Sequence, residues 1–443
     1  MRKHQQRQLL ELMKTIHEAN NLIKKYIDNK NYGDAIKLLI DCQEAAVSIG
    51  NTIEKLEGEG TATVAHLEKF CDILYQVASS LEDNPDSLSS FKAIMSQILI
   101  IENSILNDIE ADQLEVVFLP YKASMWDSME SVWLAAKDDP KCDVYVIPIP
   151  YYDVNQDNSL GRMNYEGNQF PDYVPITDWR KYNIQESHPD VIYIHNPYDE
   201  TNVVTRVHPD YYSKKLKSYT DMLVYIPYFV VSKHMPEEFC LLPGTIYADK
   251  VIAQSEEVKD TFIKVFDEFE KKNNRIGLLG NYKEKFLALG SPKFDKVIKS
   301  RREDQQLPQD WANLVEKPDG VRKKVILYNT SINGILRGNE KYIKKLNYVL
   351  NVFKERDDVV LLWRPHPLSV TTYQRMRPNL LQAYLQIIEK YKEEGWGIYD
   401  DTPDMNRAIA ISDAYYGDGG SLVALYQCTG KPIMIQNINV LSE

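Results

Sequence analysis

Four segments at the ends of predicted strands carry side chains able to act on a ligand, and the most distinctive is residues 415–423. Three glycines precede Ser421 there, between a predicted strand and a predicted helix. Glycines let the backbone turn tightly, and the free N–H groups of a helix start attract anions, so we expect a diphosphate at this turn. An ordinary strand-to-helix turn would have the same sequence. The residues assigned to this anion site are Gly417, Asp418, Gly419, Gly420 and Ser421.

A second segment, residues 361–368, ends a predicted strand with Arg364 and His366. A guanidinium group can bind phosphate oxygens with two parallel hydrogen bonds, and an imidazole can protonate or neutralise a leaving group. Pro365 and Pro367 would end the strand and stiffen the loop that holds His366. These residues predict a second part of the same anion site, although a strand-end histidine is commonly only packed or solvated.

Two further strand ends offer polar groups. Thr330 and Ser331 could place hydroxyls on a diphosphate, or cap the helix that follows. His195 and Asp199 lie four residues apart, and a histidine oriented by a carboxylate could deprotonate an acceptor hydroxyl. A polar turn without catalytic function would look the same.

Parallel sheets are needed to bring these segments together. Short β-branched runs alternate with helical stretches after residue 112, which predicts parallel strands covered by helices on both faces. We therefore expect an α/β fold with two doubly wound sheets facing a cleft, divided into residues 113–299 and 300–443. The predicted strands are 114–119, 144–149, 191–195, 223–227 and 250–253, then 325–329, 359–363, 397–399, 414–416 and 432–436.

Residues 1–112 differ from the rest of the chain. Apolar residues recur every three or four positions, which predicts an all-α hairpin or bundle with breaks near Asn31 and Gly58. The first 30 residues hold seven Lys and Arg against three Asp and Glu. This basic stretch leaves two alternatives open, contact with an anionic membrane surface or a packing and oligomerising helix, and the second is the more common.

Composition excludes several classes of protein. The 443 residues carry a formal charge of −12, which argues against a nucleic-acid binder that depends on bulk charge. The five cysteines are scattered without a CxxC pair, so we expect neither a disulfide framework nor a metal site. The amino terminus lacks the apolar core of a signal peptide, which predicts a cytoplasmic protein, with attachment to the inner membrane face as an alternative.

Five segments, taken in order, form a familiar pattern: residues 288–295, 326–331, 364–367, 412–421 and 430–432. Together they resemble the CDP-glycerol glycerophosphotransferase family, the teichoic-acid polymerases and primases of bacterial cell-wall synthesis. The resemblance implies a GT-B fold with a nucleotide donor in the C-terminal domain and a polymer or lipid-linked acceptor in the cleft. It implies transfer of glycerol phosphate from CDP-glycerol to a hydroxyl without a tightly bound metal or cofactor. It also implies that His366 and Ser421 contact the donor diphosphate.

One departure from that family keeps other functions open. The family has a His-Gly pair after a strand of the first domain, and that histidine is its proposed base. The comparable residues here, 224–229, contain no histidine. Either His195 supplies the base, or the chain is a glycosyltransferase that uses a UDP- or GDP-linked sugar, or it is a non-catalytic scaffold of the same fold.

Overall fold

Four antiparallel helices form the amino-terminal part of the protein. We describe a computed structural model, which covers residues 1–81, 83, 85–155, 157–232, 235–317, 320–402 and 404–436. Helix α1 packs against α2 and α4, and α3 packs against the same two helices, so the four enclose one apolar core. The bounds are α1 Lys3–Asp28, α2 Tyr32–Glu57, α3 Ala62–Ser80 and α4 Ser87–Asn107.

The bundle rests on the amino-terminal edge of the first sheet. The Arg2 guanidinium lies 3.2 Å from the Glu115 carboxylate and donates to the carbonyl of Ser187 at 2.9 Å. Arg7 forms an ion pair with Asp221 at 2.5 Å. Arg2 and Arg7 therefore hold the bundle against the α/β region.

The first α/β region contains a six-stranded parallel sheet and a small antiparallel sheet. The strands are β1 Leu114–Leu119, β2 Cys142–Val146, β3 Tyr151–Val154, β4 Leu160–Asn164, β5 Val191–Ile194, β6 Thr205–Val207, β7 Met222–Tyr225, β8 Lys250–Ala253 and β9 Phe286–Ala288. The parallel sheet has the order β2-β1-β5-β7-β8-β9, and the antiparallel sheet has the order β4-β3-β6. The helices are α5 Glu130–Lys137, α6 Ile184–Ser187, α7 Ser213–Leu216, α8 Pro243–Tyr247, α9 Glu256–Lys272 and α10 Pro292–Lys299.

The second α/β region contains a five-stranded parallel sheet with the order β12-β11-β10-β13-β14. Its strands are β10 Lys324–Thr330, β11 Val359–Pro365, β12 Ile398–Tyr399, β13 Ala414–Gly417 and β14 Ile433–Ile435. Its helices are α11 Gln309–Val315, α12 Ile332–Lys354, α13 Ser369–Met376, α14 Pro378–Glu394, α15 Met405–Ile411 and α16 Ser421–Gln427.

These two regions are joined through α10. This helix packs against α5 of the first region and against α15 and α16 of the second. Two of its lysines are paired with acids of the first region: Lys293 binds Asp127 at 2.5 Å and Lys296 binds Glu130 at 2.9 Å. Helix α10 is thus fastened to the first region while it supports the second.

The predicted fold class, α/β of the GT-B-like kind with two parallel sheets behind an all-α bundle, is confirmed. The strands of the large sheets lie within the predicted segments 113–299 and 300–443, whose exact boundaries stay a prediction. The sequence analysis missed β9 and the antiparallel sheet, whose strands have three to five residues and little apolar periodicity. Helices α13 and α14 are separate, because Pro378 cannot continue the first helix and starts the second.

Each large sheet has a point where the chain changes direction. From β1 the chain moves outward to β2 and returns to β5 on the other side of β1; from β10 it moves to β11 and β12 and returns to β13. In open parallel sheets, ligands bind outside the carboxyl ends of the strands at such points. The topology therefore selects two places, between the ends of β1 and β5 and between the ends of β10 and β13.

Candidate functional site

A buried carboxylate, Asp418, organises the switch point of the second sheet. Its Oδ2 atom accepts hydrogen bonds from the backbone nitrogen of Ser331 at 2.7 Å and from the hydroxyl of Tyr342 at 2.5 Å. Its Oδ1 atom accepts from Lys345 Nζ at 2.7 Å, and the side chains of both ions are less than 10% exposed. These contacts join the end of β10, helix α12 and the loop after β13, so Asp418 holds the loop rather than facing a ligand.

The glycine loop itself turns away from β10 at Gly417. This residue has φ 139°, and a Cβ atom there would overlap the carbonyl oxygen of Asn329. At Gly420, by contrast, a Cβ atom would have nothing within 4 Å. Gly419 and Ser421 are exposed. Among the described residues, the backbone N–H groups of Gly419, Gly420 and Ser421 have no acceptor, which leaves three donors at this loop.

His366 lies at the end of β11, on the other side of β10 from the glycine loop. Its backbone nitrogen donates to the carbonyl of Thr330 at 3.0 Å, which ties it to the end of β10. The ring Nδ1 atom accepts from the backbone nitrogen of Leu368 at 3.1 Å, so the neutral ring carries its proton on Nε2. Partial burial lowers the pKa of the imidazole below its usual value. The residue is exposed to solvent, so Nε2–H can donate to an anion.

The structure gives Arg364 a different role from the predicted one. The guanidinium is buried. One of its nitrogens donates to the Asp400 carboxylate, and another donates to the carbonyl of Thr402 at 2.8 Å. The other oxygen of Asp400 accepts from the Thr402 hydroxyl at 2.6 Å. The two-pronged contact predicted for phosphate oxygens is therefore occupied by protein acceptors, and Arg364 stabilises the loop after β12.

Thr330 and Ser331 also serve the scaffold. The Thr330 hydroxyl is buried and accepts from Trp363 Nε1 at 3.1 Å. The Ser331 hydroxyl donates to Asp418 at 3.0 Å and accepts from the backbone nitrogen of Gly334 at 3.0 Å, which makes it the N-cap of α12. Capping of the following helix is the alternative that the sequence analysis left open for Ser331, and the structure shows it. Of the predicted donor-site residues, His366 and the loop from Gly419 to Ser421 keep free polar groups.

At the switch point of the first sheet, His195 is fully buried and both ring nitrogens are engaged. Nε2 accepts from the backbone nitrogen of Tyr121 at 3.1 Å, so the proton is on Nδ1, which lies 3.0 Å from the Ser128 hydroxyl. Ser128 in turn donates to the carbonyl of Met125 at 2.7 Å. Burial, followed by the charge of Lys293, lowers the pKa of His195 to about 3. The ring is neutral and holds the end of β1 next to β5.

Asp199 does not orient His195, contrary to the prediction. Its carboxylate accepts from the backbone nitrogen of Ser213 at 2.8 Å and from the Ser213 hydroxyl at 2.5 Å. The residue is 2% exposed with φ 45°, and burial raises the pKa of its carboxyl to about 7. The sequence spacing placed the two groups on one loop, but the turn directs them to different partners.

Lys122, which the sequence analysis did not single out, lies just beyond the end of β1. Its ammonium lies 5.4 Å from the ring centre of Tyr121 and 5.2 Å from that of Tyr151. Within the part of the chain that the structure describes, it has no carboxylate partner. Tyr198 follows β5 and Tyr228 follows β7, which are the next two strands after β1 in the sheet. The hydroxyls of these two tyrosines lie 3.2 Å apart. The signal available in the sequence was a lysine directly after a buried strand.

Comparisons with known proteins were made for the whole chain. No family model and no curated protein matches it. Among solved structures, a UDP-N-acetylglucosamine 2-epimerase is 13% identical, with 74% of this chain and 79% of that chain covered and a TM-score of 0.45. The wall teichoic acid polymerase TagF is 13% identical, with 83% and 79% covered and a TM-score of 0.41. The UDP-GlcNAc 2-epimerase from Neisseria meningitidis, bound to UDP-GlcNAc, is 11% identical, with 73% and 82% covered and a TM-score of 0.41.

These similarities are low in identity and in TM-score, so they assign neither substrate nor reaction. A teichoic acid polymerase is among the structural neighbours, while membership of the CDP-glycerol glycerophosphotransferase family remains a prediction from sequence. The residues that the structure describes contain no group of three His, Cys, Asp or Glu placed to hold a metal ion. They also contain no helix long and apolar enough to cross a membrane.

Proposed function

We propose that the protein is a transferase that binds a nucleotide-linked donor at the second-sheet switch point and a hydroxyl acceptor at the first. The supporting observation is that free hydrogen-bond donors follow the two strands that flank β10: three backbone N–H groups at Gly419, Gly420 and Ser421 come after β13, and Nε2–H of His366 comes after β11. Oriented N–H groups at a tight turn suit a diphosphate.

A CDP-alcohol, with CDP-glycerol as the leading candidate, is the donor that the sequence resemblance favours. In that reaction the acceptor oxygen attacks the phosphorus that carries glycerol. A new P–O bond forms, the bond from that phosphorus to the bridging oxygen breaks, CMP leaves with the bridging oxygen, and the proton of the acceptor hydroxyl passes to solvent water. His366 Nε2–H would donate to the oxygen of the departing phosphate.

This proposal assigns no general base. Phosphoryl transfer depends mainly on positioning and on stabilising charge, because its transition state is loose. His195 is neutral with both nitrogens engaged, and Asp199 is bound to Ser213, so we assign neither of them to deprotonate the acceptor. Lys122 is the cation that the first switch point offers to an approaching phosphate.

The decisive test is a thermal-unfolding panel with CDP-glycerol, CDP, UDP, UDP-sugars and GDP-sugars. Ligands that bind the native state raise Tm. We expect CDP species to raise it. Ser421→Ala should reduce the rise because it removes the exposed hydroxyl next to the free backbone N–H groups, and His366→Ala should reduce it because it removes Nε2–H. His17→Ala, on α1 of the bundle, is the matched control and should respond as the unaltered protein does. His366→Ala should also abolish CMP release with CDP-glycerol and a hydroxyl acceptor.

Other outcomes would replace the proposal. A rise with UDP- or GDP-sugars alone would indicate a glycosyltransferase. No response to any nucleotide would favour the non-catalytic scaffold. Full CMP release by His366→Ala would remove that residue from the mechanism.

A further inference from the structure

A groove of about 520 Å³ lies in the first α/β region, away from both switch points. One wall is the segment 179–185 and the other is formed by the turns around Asp210 and Tyr219. Tyr182, on the first wall, donates its hydroxyl to Glu115, near the amino end of β1. The groove therefore extends toward the edge of the sheet opposite the carboxyl ends, where the transfer chemistry is proposed. Its volume is within the range of ~300–1,000 Å³ typical of small-molecule sites.

Four aromatic side chains line this groove, and neighbouring groups hold them in place. The rings of Tyr182 and Tyr145 are 5.3 Å apart. The ring of Trp179 lies 6.0 Å from that of His208, which also contacts the largely buried ring of Tyr211 at 6.2 Å. Aromatic rings fixed in this way present apolar surface without a further loss of conformational freedom on binding. The four residues are Trp179, Tyr182, Tyr211 and Tyr219.

The rim of the groove carries both donors and acceptors of hydrogen bonds. Asn183 uses its Oδ1 atom to accept from the backbone nitrogen of Glu186 at 3.4 Å, so its amide N–H groups remain available. Gln185 and Lys181 are exposed, and within the described ranges their side chains form no hydrogen bond or ion pair. The Asp210 carboxylate, bound by Lys215 at 2.8 Å, supplies acceptor oxygens. The rim thus offers donors and acceptors around an apolar floor.

We infer that this groove is a second binding site, for a saccharide. A sugar ring has an apolar C–H face that can lie on an aromatic ring and peripheral hydroxyls that both donate and accept hydrogen bonds. That combination matches rigid aromatic rings surrounded by amides, an ammonium group and a carboxylate. A simple anion would leave the aromatic floor unused, and an apolar ligand would leave the polar rim unpaired. The inference does not depend on the donor proposed above.

Saturation-transfer NMR on the full chain would test this site, with glucose, N-acetylglucosamine, rhamnose, maltose and CMP as probes. We expect at least one saccharide to bind at millimolar concentration or below. Trp179→Ala should weaken it by tenfold or more, whereas Trp179→Phe should keep most of the affinity because an aromatic ring remains. Trp396→Phe, in the second α/β region, is the matched control. Gly420→Ala should leave saccharide binding unchanged, which separates this site from the donor site.

Results of two kinds would overturn the inference. The first kind concerns saccharides: either none of them binds at about 10 mM, or one binds with an affinity that Trp179→Ala leaves unchanged. The other is binding of CMP, but of no saccharide, that depends on Trp179. If Trp179→Ala does not fold, the exposed-rim variant Gln185→Ala combined with Lys181→Ala should show a two- to fivefold loss, and unchanged affinity in it counts against the site.

Discussion

The carboxylate of Asp418 and the ammonium of Lys345 form a buried ion pair with an N–O distance of 2.7 Å. Lys345 lies on α12, and Asp418 lies in the loop that follows β13, so the pair fixes the glycine loop to the helix that follows β10. The carbonyl of Gln436, 3.3 Å from Lys345 Nζ, adds the residue that follows β14. The buried ion pair thus positions the glycine loop, while Gly419 and Ser421 stay exposed.

Removing one partner of this pair should be costly. Lys345→Met leaves the Asp418 carboxylate buried without a counter-ion, and we expect a loss of about 3–5 kcal/mol in the free energy of unfolding. Denaturation by urea would measure it. Lys345→Met combined with Asp418→Asn should recover part of the loss, because no unpaired charge remains. If the free energy of unfolding of Lys345→Met alone lay within about 1 kcal/mol of that of the original protein, the role assigned to the ion pair would be contradicted.

Two glycines of the same loop should respond differently to alanine. At Gly417 the added Cβ would overlap Asn329 and the φ of 139° is unfavourable for other residues, so Gly417→Ala should lower stability by several kcal/mol, on the order of 3. Gly420→Ala meets open space and should leave stability within about 1 kcal/mol, yet weaken nucleotide binding because its methyl group stands where the diphosphate approaches. Urea denaturation and calorimetric titration with CDP separate the two effects. Equal stabilities for both variants would disagree with this account of the loop.

The pKa of about 7 at Asp199 makes stability depend on pH. As pH rises from about 4 to 7, the unfolded chain releases this proton first while the native state retains it, so the free energy of unfolding should fall through that window. The loss should be on the order of 2–4 kcal/mol and constant above it. In Asp199→Asn the group no longer titrates, and its amide oxygen can still accept from Ser213. Urea denaturation at pH 4.5 and pH 8 should show a shallower pH dependence for this variant, and an unchanged slope would be evidence against the burial of a titrating carboxyl.

His366 should titrate below its usual range in the free protein, because burial lowers its pKa. Binding of CDP should move this pKa upward, since a nearby phosphate favours the protonated imidazole. NMR titration of the imidazole carbons, with the signal assigned from its loss in His366→Gln, would measure both values. The imidazole signals of His17, on α1, provide the internal control and should not move when CDP is added at fixed pH. A His366 pKa that CDP leaves unchanged would place the diphosphate elsewhere.

Arg364 should prove structural rather than ligand-binding. Arg364→Lys cannot reproduce contacts with both Asp400 and the carbonyl of Thr402, so stability should fall by about 2 kcal/mol or more. The Kd for CDP, measured on the folded fraction, should stay within a factor of two. A large rise in that Kd with unchanged stability would restore Arg364 to the donor site.

Much of the fold could be predicted from local pattern. Continuous apolar runs such as residues 250–253 and 359–363 indicated parallel strands, and β8 occupies Lys250–Ala253 as predicted. The antiparallel strands β3, β4 and β6 could not be found this way, because they are short and two of them pair across a distance of more than 50 residues. Their pairing, rather than their own composition, makes them strands.

The candidate site was predicted in part. Both switch points lie at segments that the sequence analysis selected, since polar residues after buried strands are a local signal. A local signal cannot identify the partners of those residues, because the partners lie between 14 and 67 positions away in the chain. They are Asp400 for Arg364, Ser128 for His195 and Ser213 for Asp199.

The sequence by itself determined where the strands end and therefore which polar residues reach the carboxyl edges of the sheets, because apolar periodicity and turn residues act over a few positions. Only the tertiary structure decided which of these residues remain free. Arg364, Asp418 and His195 are buried by elements distant in the chain, and a buried charge or donor must find a partner within the protein. His366 and Ser421 keep their polar atoms exposed because no such element covers them among the described residues.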